Sequence, residues 1–166
     1  KYLSLDKFSD ILSCSFVLIS VPTPFNSVKQ EVDLSSVKEN LIKLNNEKYE
    51  GIVILKSTLP VGTCEVFNAD YSINLVYNPE FLRESTTPYE DFKNQKQVVI
   101  GCSDVKLFEK TKKFYELVTN VDTSFFHLTY SEAEMVKYAK NIFYSIKVIY
   151  ANHMHDICEA IGIDWS

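Results

Sequence analysis

The chain has 166 residues, 46% hydrophobic and 23% charged, and a formal net charge of −5. That is enough apolar material for one core, and no basic block marks it for nucleic acid, which needs clustered Lys and Arg to meet phosphate. The longest apolar run, near 16–21, is far too short to span a bilayer and lacks the flanks of a signal peptide, so no membrane partner is expected.

In chain order, "FVLISV" (16–21) is a continuous apolar run stopped by "PTP". It reads as a strand buried on both faces and ended by prolines. "VDLSSVKENLIKL" (32–44) spaces Leu34, Val37, Leu41 and Leu44 as one helical face, with Asp33 as its N-cap. "GIVIL" (51–55) is a second buried strand, and the "KSTLPVGT" that follows predicts a short helix with Pro60 in its first turn. "INLVY" (73–77) and "QVVIGC" (97–102) are further strands. "DVKLFEKTKKFYELV" (104–118) is an amphipathic helix, and "SFFHL" (124–128) a last short strand.

From Ser131 to about Ile161 one helical pattern runs without Pro or Gly. Ser131 and Glu134 fit a capping box, and Met135, Ala139, Ile142, Ile146 and Ile149 fall on one face. Such a helix is ~45 Å long, more than a small domain is wide. It is expected to join two domains or to pack on a second subunit. Strands alternating with helices predict an α/β fold with a parallel, doubly wound sheet.

Cys14, Cys64, Cys102 and Cys158 are scattered and form no CxxC pair. No metal site is expected from them, and four free thiols suit a cytoplasmic location. His153 and His155 point to different faces of the helix and receive no metal role. The chain opens at Lys1 close to a buried strand and closes at "GIDWS" just past a long helix. That pattern is expected of a segment of a larger protein.

Ligands of open parallel sheets bind outside the carboxyl ends of the strands. Three strands here exit into "SVPTPFN", "KSTLPVGT" and "YNPEFLRES", stiffened by Pro22, Pro24, Pro60 and Pro79. Each loop alone is compatible with a plain turn; three on one edge point to a ligand site carrying Glu80 and Glu84. On the long helix, Lys137 and Asn141 are four residues apart and therefore neighbours, a cation beside an amide donor. The phosphate fingerprint G-x-G-x-x-G is absent, since Gly51, Gly62, Gly101 and Gly162 form no G-x-G.

"VLISVPTP", "ILKSTLPVGT", "NPEFLREST" and "SEAEMVKYAKNIFYSIKVIYANHMHDICEAIGID" resemble, in that order, the blocks of the UDP-glucose/GDP-mannose dehydrogenase family. The resemblance runs from about Leu3 to Asp164. It implies the later half of a Rossmann-like, NAD-binding domain over 1–130, followed over 131–166 by a long central helix that begins a dimerisation region. It implies oxidation of C6 of a nucleotide sugar to the acid, with two NAD. UDP-glucose is the expected substrate, and GDP-mannose, another UDP-sugar or a non-catalytic binding and dimerisation module are the alternatives. The expected partner chain is a second copy.

Carried over by position, Pro22 and Thr23 lie along NAD, and Thr58 holds a catalytic water beside the cofactor. Glu80 is the acid/base group, and Glu84 sits near the nicotinamide. Phe81, Leu82 and Arg83 line the sugar nucleotide, while Lys137 and Asn141 stabilise an oxyanion. The family's nucleophilic Cys lies in a Gly-rich block after the central helix, and Cys158, within the helix, does not match it. The 166 residues thus hold neither the glycine fingerprint nor that thiol. The purified polypeptide is expected to form no NADH from UDP-glucose and NAD; steady absorbance growth at the NADH band would overturn that expectation.

Overall fold

A computed structural model describes residues 7–81 and 87–165. Helix α1 (Phe8–Ile11) leads into β1 (Phe16–Ile19) and a small hairpin of β2 (Phe25–Asn26) and β3 (Glu31–Val32). Then follow α2 (Ser35–Asn46), β4 (Ile52–Leu55), α3 (Thr63–Asp70), β5 (Asn74–Tyr77) and α4 (Pro88–Lys93). The chain ends with β6 (Gln97–Gly101), α5 (Val105–Glu116), β7 (Ser124–Leu128) and α6 (Tyr130–Ile161).

Five strands form one sheet in the order β1-β4-β5-β6-β7. β1, β4 and β5 are parallel and in register, with Ile19 beside Leu55 and Leu55 beside Tyr77. Their carboxyl ends are therefore level, which is what brings three loops to one edge. The fold class is the expected α/β arrangement with a long final helix. One junction departs from an all-parallel sheet: β6 meets β5 antiparallel at Tyr77 and Gly101, while β6 and β7 are parallel to each other. Among the described residues the connection between β5 and β6 contains the six-residue α4, and a short connection of this kind is what antiparallel neighbours permit.

β4 is buried at all four positions because it lies between β1 and β5. β1 does not match its reading as a strand buried on both faces. Leu18 is 44% exposed, whereas Ile54 and Val76, beside it in register, are fully buried. Among the described residues β1 is an edge strand, so Leu18 lacks the flanking neighbours that the central strands have. Val37, Leu41 and Leu44 of α2 are buried as their spacing predicts, each contributing about 1.5–3 kcal/mol of hydrophobic stabilisation.

Three end signals are displaced. α2 starts at Ser35, and Asp33 accepts from Ser35 N at 2.9 Å, one position outside the N-cap Leu34. Pro60 precedes α3 rather than entering its first turn, because Gly62 takes a left-handed φ of 90° and forces the helix to begin at Thr63. The capping box of α6 is formed by Thr129 and Glu132, not Ser131 and Glu134. Ser131 Oγ donates instead to Glu65 at 2.8 Å.

Glu134 is displaced by better partners. Its carboxylate, fully buried, accepts from Gly62 N at 2.5 Å and from Cys64 N at 2.8 Å. Those are donors at the amino end of α3, where orphan N–H groups and the helix dipole favour an anion. The carboxylate thereby fastens α6 to α3. Burial and the adjoining carboxylate push the Cys64 thiol far above its usual range, so it stays protonated and unreactive.

Beyond its first turns α6 leaves the domain. Every residue from 141 to 150 is exposed, and Ile142, Phe143, Ile146 and Ile149 are each more than half exposed. The helix stops at Gly162, left-handed at φ 75°, with Ile163 N donating to Cys158 O at 2.9 Å. No described helix is long and apolar enough to cross a membrane.

Glu134→Ala orphans two backbone donors and opens a cavity. It is expected to lower unfolding stability by roughly 3 kcal/mol in urea titration. Glu134→Gln retains one acceptor oxygen and should lose less. Equal stability of wild type and Glu134→Ala would show that the carboxylate does not fasten the helices.

Candidate active site

At this edge of the sheet, hydroxyl side chains tie the first two exits to each other's main chain. Ser57 Oγ accepts from Val21 N at 3.0 Å and donates to Val21 O at 2.7 Å. Thr23 Oγ1 donates to the Thr58 carbonyl at 2.8 Å. Pro22 lies exposed on this edge, and Thr23 and Thr58 are half-buried beside one another.

The third exit carries the charge. Lys56 and Asn78 are the first residues after β4 and β5, and their parallel pairing sets them side by side. Lys56 Nζ donates to Asn78 Oδ1 at 2.7 Å and lies 3.5 Å from Glu80 Oε2. Asn78 is buried and fixed from four sides. Its N–H donates to Leu55 O at 2.9 Å, its Nδ2 to Val99 O at 2.7 Å, and Tyr115 O–H donates to its Oδ1 at 2.6 Å. The Lys56 ammonium also lies 5.9 Å above the Tyr115 ring.

Helix α6 closes the site from the other side. Lys137 Nζ donates to the backbone carbonyl of Glu80. Its ammonium lies 5.6 Å from the Phe81 ring centroid, and that of Lys140 only 4.3 Å, so Phe81 is held by two cations. Burial pushes the Lys56 ammonium below its usual pKa. The charge of Glu80 opposes that shift, and Lys137 reinforces it. Lys137 is lowered for the same reasons: burial, opposed by Glu80 and helped by Lys140. Burial, and then Glu80, push the Tyr115 phenol up, so it remains a hydrogen-bond donor.

Of the residues singled out from sequence, the structure unites Thr23, Thr58, Glu80, Phe81 and Lys137 along this edge. Asn141 is exposed one turn past Lys137 on the same helix, and its carbonyl accepts from Ser145 Oγ at 3.0 Å. Leu82, Arg83 and Glu84 lie outside the described residues. Lys56, Asn78, Tyr115 and Lys140 were missed. For Lys56 and Asn78 a signal existed: a polar residue directly following a fully apolar parallel strand stands on the ligand edge. Tyr115 and Lys140 carry no such mark, since only the tertiary fold brings α5 and α6 to the site.

A cavity of about 730 Å³ opens at the opposite, amino ends of the strands, lined by Ser15, Phe16, Gly51, Ile52 and Lys110 among others. The candidate site lies instead where one carboxylate meets a cation from the sheet and its own backbone meets a cation from the helix. Such an arrangement can hold an acid/base group in one orientation and receive an anionic or polar ligand.

Known proteins resemble this chain along most of its length. Residues 3–119 match the NAD binding domain of the UDP-glucose/GDP-mannose dehydrogenase family, and residues 131–166 match its central domain. The UDP-glucose 6-dehydrogenase of Rickettsia prowazekii is 30% identical over 167 residues, covering 94% of this chain and 38% of its own length. UDP-glucose 6-dehydrogenase YwqF of Bacillus subtilis is 30% identical over 163 residues, covering 93% and 36%. Among solved structures, a UDP-glucose dehydrogenase from Pyrobaculum islandicum superposes with a TM-score of 0.81 at 28% identity, covering 94% of this chain and 38% of the other. A GDP-mannose dehydrogenase from Pseudomonas aeruginosa gives 0.81 at 25% identity, with 94% and 38% covered. The chain thus spans little more than a third of the relatives it matches. With the family's NAD binding and central domain patterns running in order over nearly all of its length, the chain belongs to the UDP-glucose/GDP-mannose dehydrogenase family.

Proposed function

We propose that this chain supplies one wall of the active site of an NAD-dependent dehydrogenase that oxidises the C6 hydroxyl of UDP-glucose to a carboxylate in two hydride transfers. The observation that carries the reading is Glu80, held at the carboxyl ends of parallel strands with its side chain beside Lys56 and its carbonyl on Lys137. The edge suits the reactive end of a dinucleotide: the exits at 21–24 and 57–60 are uncharged, stiffened by proline and tied to each other. Pro22, Thr23 and Thr58 would hold the cofactor there, and the family resemblance assigns Glu84 to the nicotinamide. The cofactor, when bound, supplies the hydride acceptor.

This chain's residues supply the rest of the chemistry on this wall. Glu80 takes and returns protons and, with Thr58 holding water, drives hydrolysis of the enzyme-bound acyl group. Lys137 faces the oxygen that gains charge at C6. An ammonium has three donors, so its tie to the Glu80 carbonyl does not exhaust it. Asn141 joins it on the same helical face, reaching the substrate rather than the protein. Phe81 to Arg83 line the sugar nucleotide. Residues 1–130 act as the later part of the dinucleotide-binding domain, and 131–166 as the start of the central helix. GDP-mannose is the second substrate reading, motivated by equal structural likeness to enzymes of both names. Four free thiols accord with a cytoplasmic enzyme.

The helix supports a homodimer. Ile142, Phe143, Ile146 and Ile149 are each more than half exposed along one element, an apolar surface of the kind that marks an interaction site. An association module without catalysis is the competing reading, and it rests on the same residues. Sedimentation of the purified chain is expected to show a dimer or larger species. A well-folded monomer would count against it.

The catalytic roles separate in a complete enzyme carrying this segment. Lys137→Ala should lose an oxyanion donor and slow the early chemistry by ~10²- to 10³-fold, leaving little covalent adduct. Glu80→Gln should let adduct accumulate on the family's nucleophilic thiol, because formation outruns hydrolysis. Mass spectrometry after incubation with UDP-glucose and NAD reads both. Absence of adduct in both variants, or more of it in Lys137→Ala, would refute the assignment.

A further inference from the structure

Lys56 is the most buried cation of the edge: its side chain is 11% exposed, against 36% for its ion-pair partner Glu80. As a stability device this pair is poor. A half-exposed carboxylate returns little, while burying an ammonium is expensive. An apolar side chain of the same length would fill the space without that penalty. The orientation of the pair shows what the cation does instead. Asn78 Oδ1 accepts from both Lys56 at 2.7 Å and Tyr115 at 2.6 Å, and Asn78 itself is locked to Leu55 and Val99. Lys56 is therefore held from the core, independently of Glu80. The Glu80 carboxylate, 36% exposed, thus meets a cation whose place is already set.

We propose that Lys56, fixed by Asn78 and Tyr115, is a positioning residue that sets the orientation of the Glu80 carboxylate. This rests on the reading of Glu80 as the acid/base group. It assigns to Lys56 the side-chain end of a clamp whose backbone end is Lys137. Among the described residues, the charged or titratable groups that face the ammonium are Glu80 on the β5 exit, Lys137 on α6 and Tyr115 on α5. Glu80 is the one of opposite charge. Burial and Lys137 lower the Lys56 pKa, and Glu80 opposes that shift.

Two measurements test this. In the isolated chain, NMR titration of the Lys56 side chain should show its midpoint falling to lower pH in Glu80→Gln than in wild type, because the opposing charge is lost. An unchanged midpoint would mean the two groups are not coupled, and the proposal would fail. In a complete enzyme carrying this segment, Lys56→Met should lower kcat by ~10²-fold, the scale of a misplaced reacting group, with KM moving little. In a Glu80→Gln background it should lower kcat no further. Independent, multiplying losses, or a fully active Lys56→Met, would overturn the assignment.

Lys56→Met leaves Asn78 Oδ1 its Tyr115 partner, so folding is retained and thermal stability should equal or exceed wild type. A large loss of stability would make Lys56 structural. Lys56→Arg keeps the charge and should recover part of the rate. A wild-type enzyme inert toward every nucleotide sugar would defeat the functional reading, while the NMR coupling would still decide whether Lys56 and Glu80 act on each other.

Discussion

The position of α6 depends on one carboxylate. Glu134 accepts from two backbone donors at the start of α3, and it lies three residues before Lys137 on the same helical face. Whatever holds Glu134 therefore also aims Lys137 at the Glu80 carbonyl. Tyr130, at the helix start, adds a second anchor by donating to Leu75 O at 2.8 Å in β5. The third is steric. A Cβ on Gly101 would come within 2.7 Å of the Ala133 Cβ, so glycine is what allows β6 to approach the helix so closely. A buried ion, a phenol and a missing methyl group thus fix one rigid relation between sheet and helix, and the site is formed across it.

Electrostatics then act on a small scale against the overall balance. The chain is acidic, at −5, yet among the described residues Lys56, Lys137 and Lys140 gather around Glu80 and Phe81. The cations are partly desolvated, which strengthens their interaction with any anion or developing negative charge. The aromatic ring of Phe81 keeps two of them in place without neutralising them. Local charge at this edge is opposite to that of the molecule, which favours a negatively charged ligand there while the remaining surface repels non-specific ones.

Much of this was legible in the sequence. The apolar runs gave the strands of the five-stranded sheet, because parallel strands buried between neighbours need no alternation, but not the two-residue strands β2 and β3. The three proline-stiffened exits gave the edge. What failed were features decided by competition. Ser131 and Glu134 have capping-box spacing, but Glu134 found two stronger donors in another helix, and Thr129 with Glu132 capped α6 instead. Pro60 has helix-start character, but Gly62 sets the boundary by its φ. Lys56 was overlooked because a lysine in a strand exit reads as solvated. Only the adjacent strand, supplying Asn78, shows that it points inward. Asn141 was legible as a neighbour of Lys137, yet spacing on a helix cannot say which residues the fold covers.

The division of α6 follows from the same physics. Its first turns are bound by Glu134, Tyr130 and the Gly101 contact, and they hold the lysines. From residue 141 to 150 every residue is exposed. A helix of 32 residues is rigid over many turns, so a partner covering Ile142 to Ile149 would bear on a lever whose other end carries Lys137. Covering that surface would therefore do more than bury apolar area. It would restrain the inclination of α6 and so the distance between Lys137 and Glu80, a group that Lys56 already holds from the sheet side. In this architecture any association through that surface and the geometry around Glu80 would share one mechanical element.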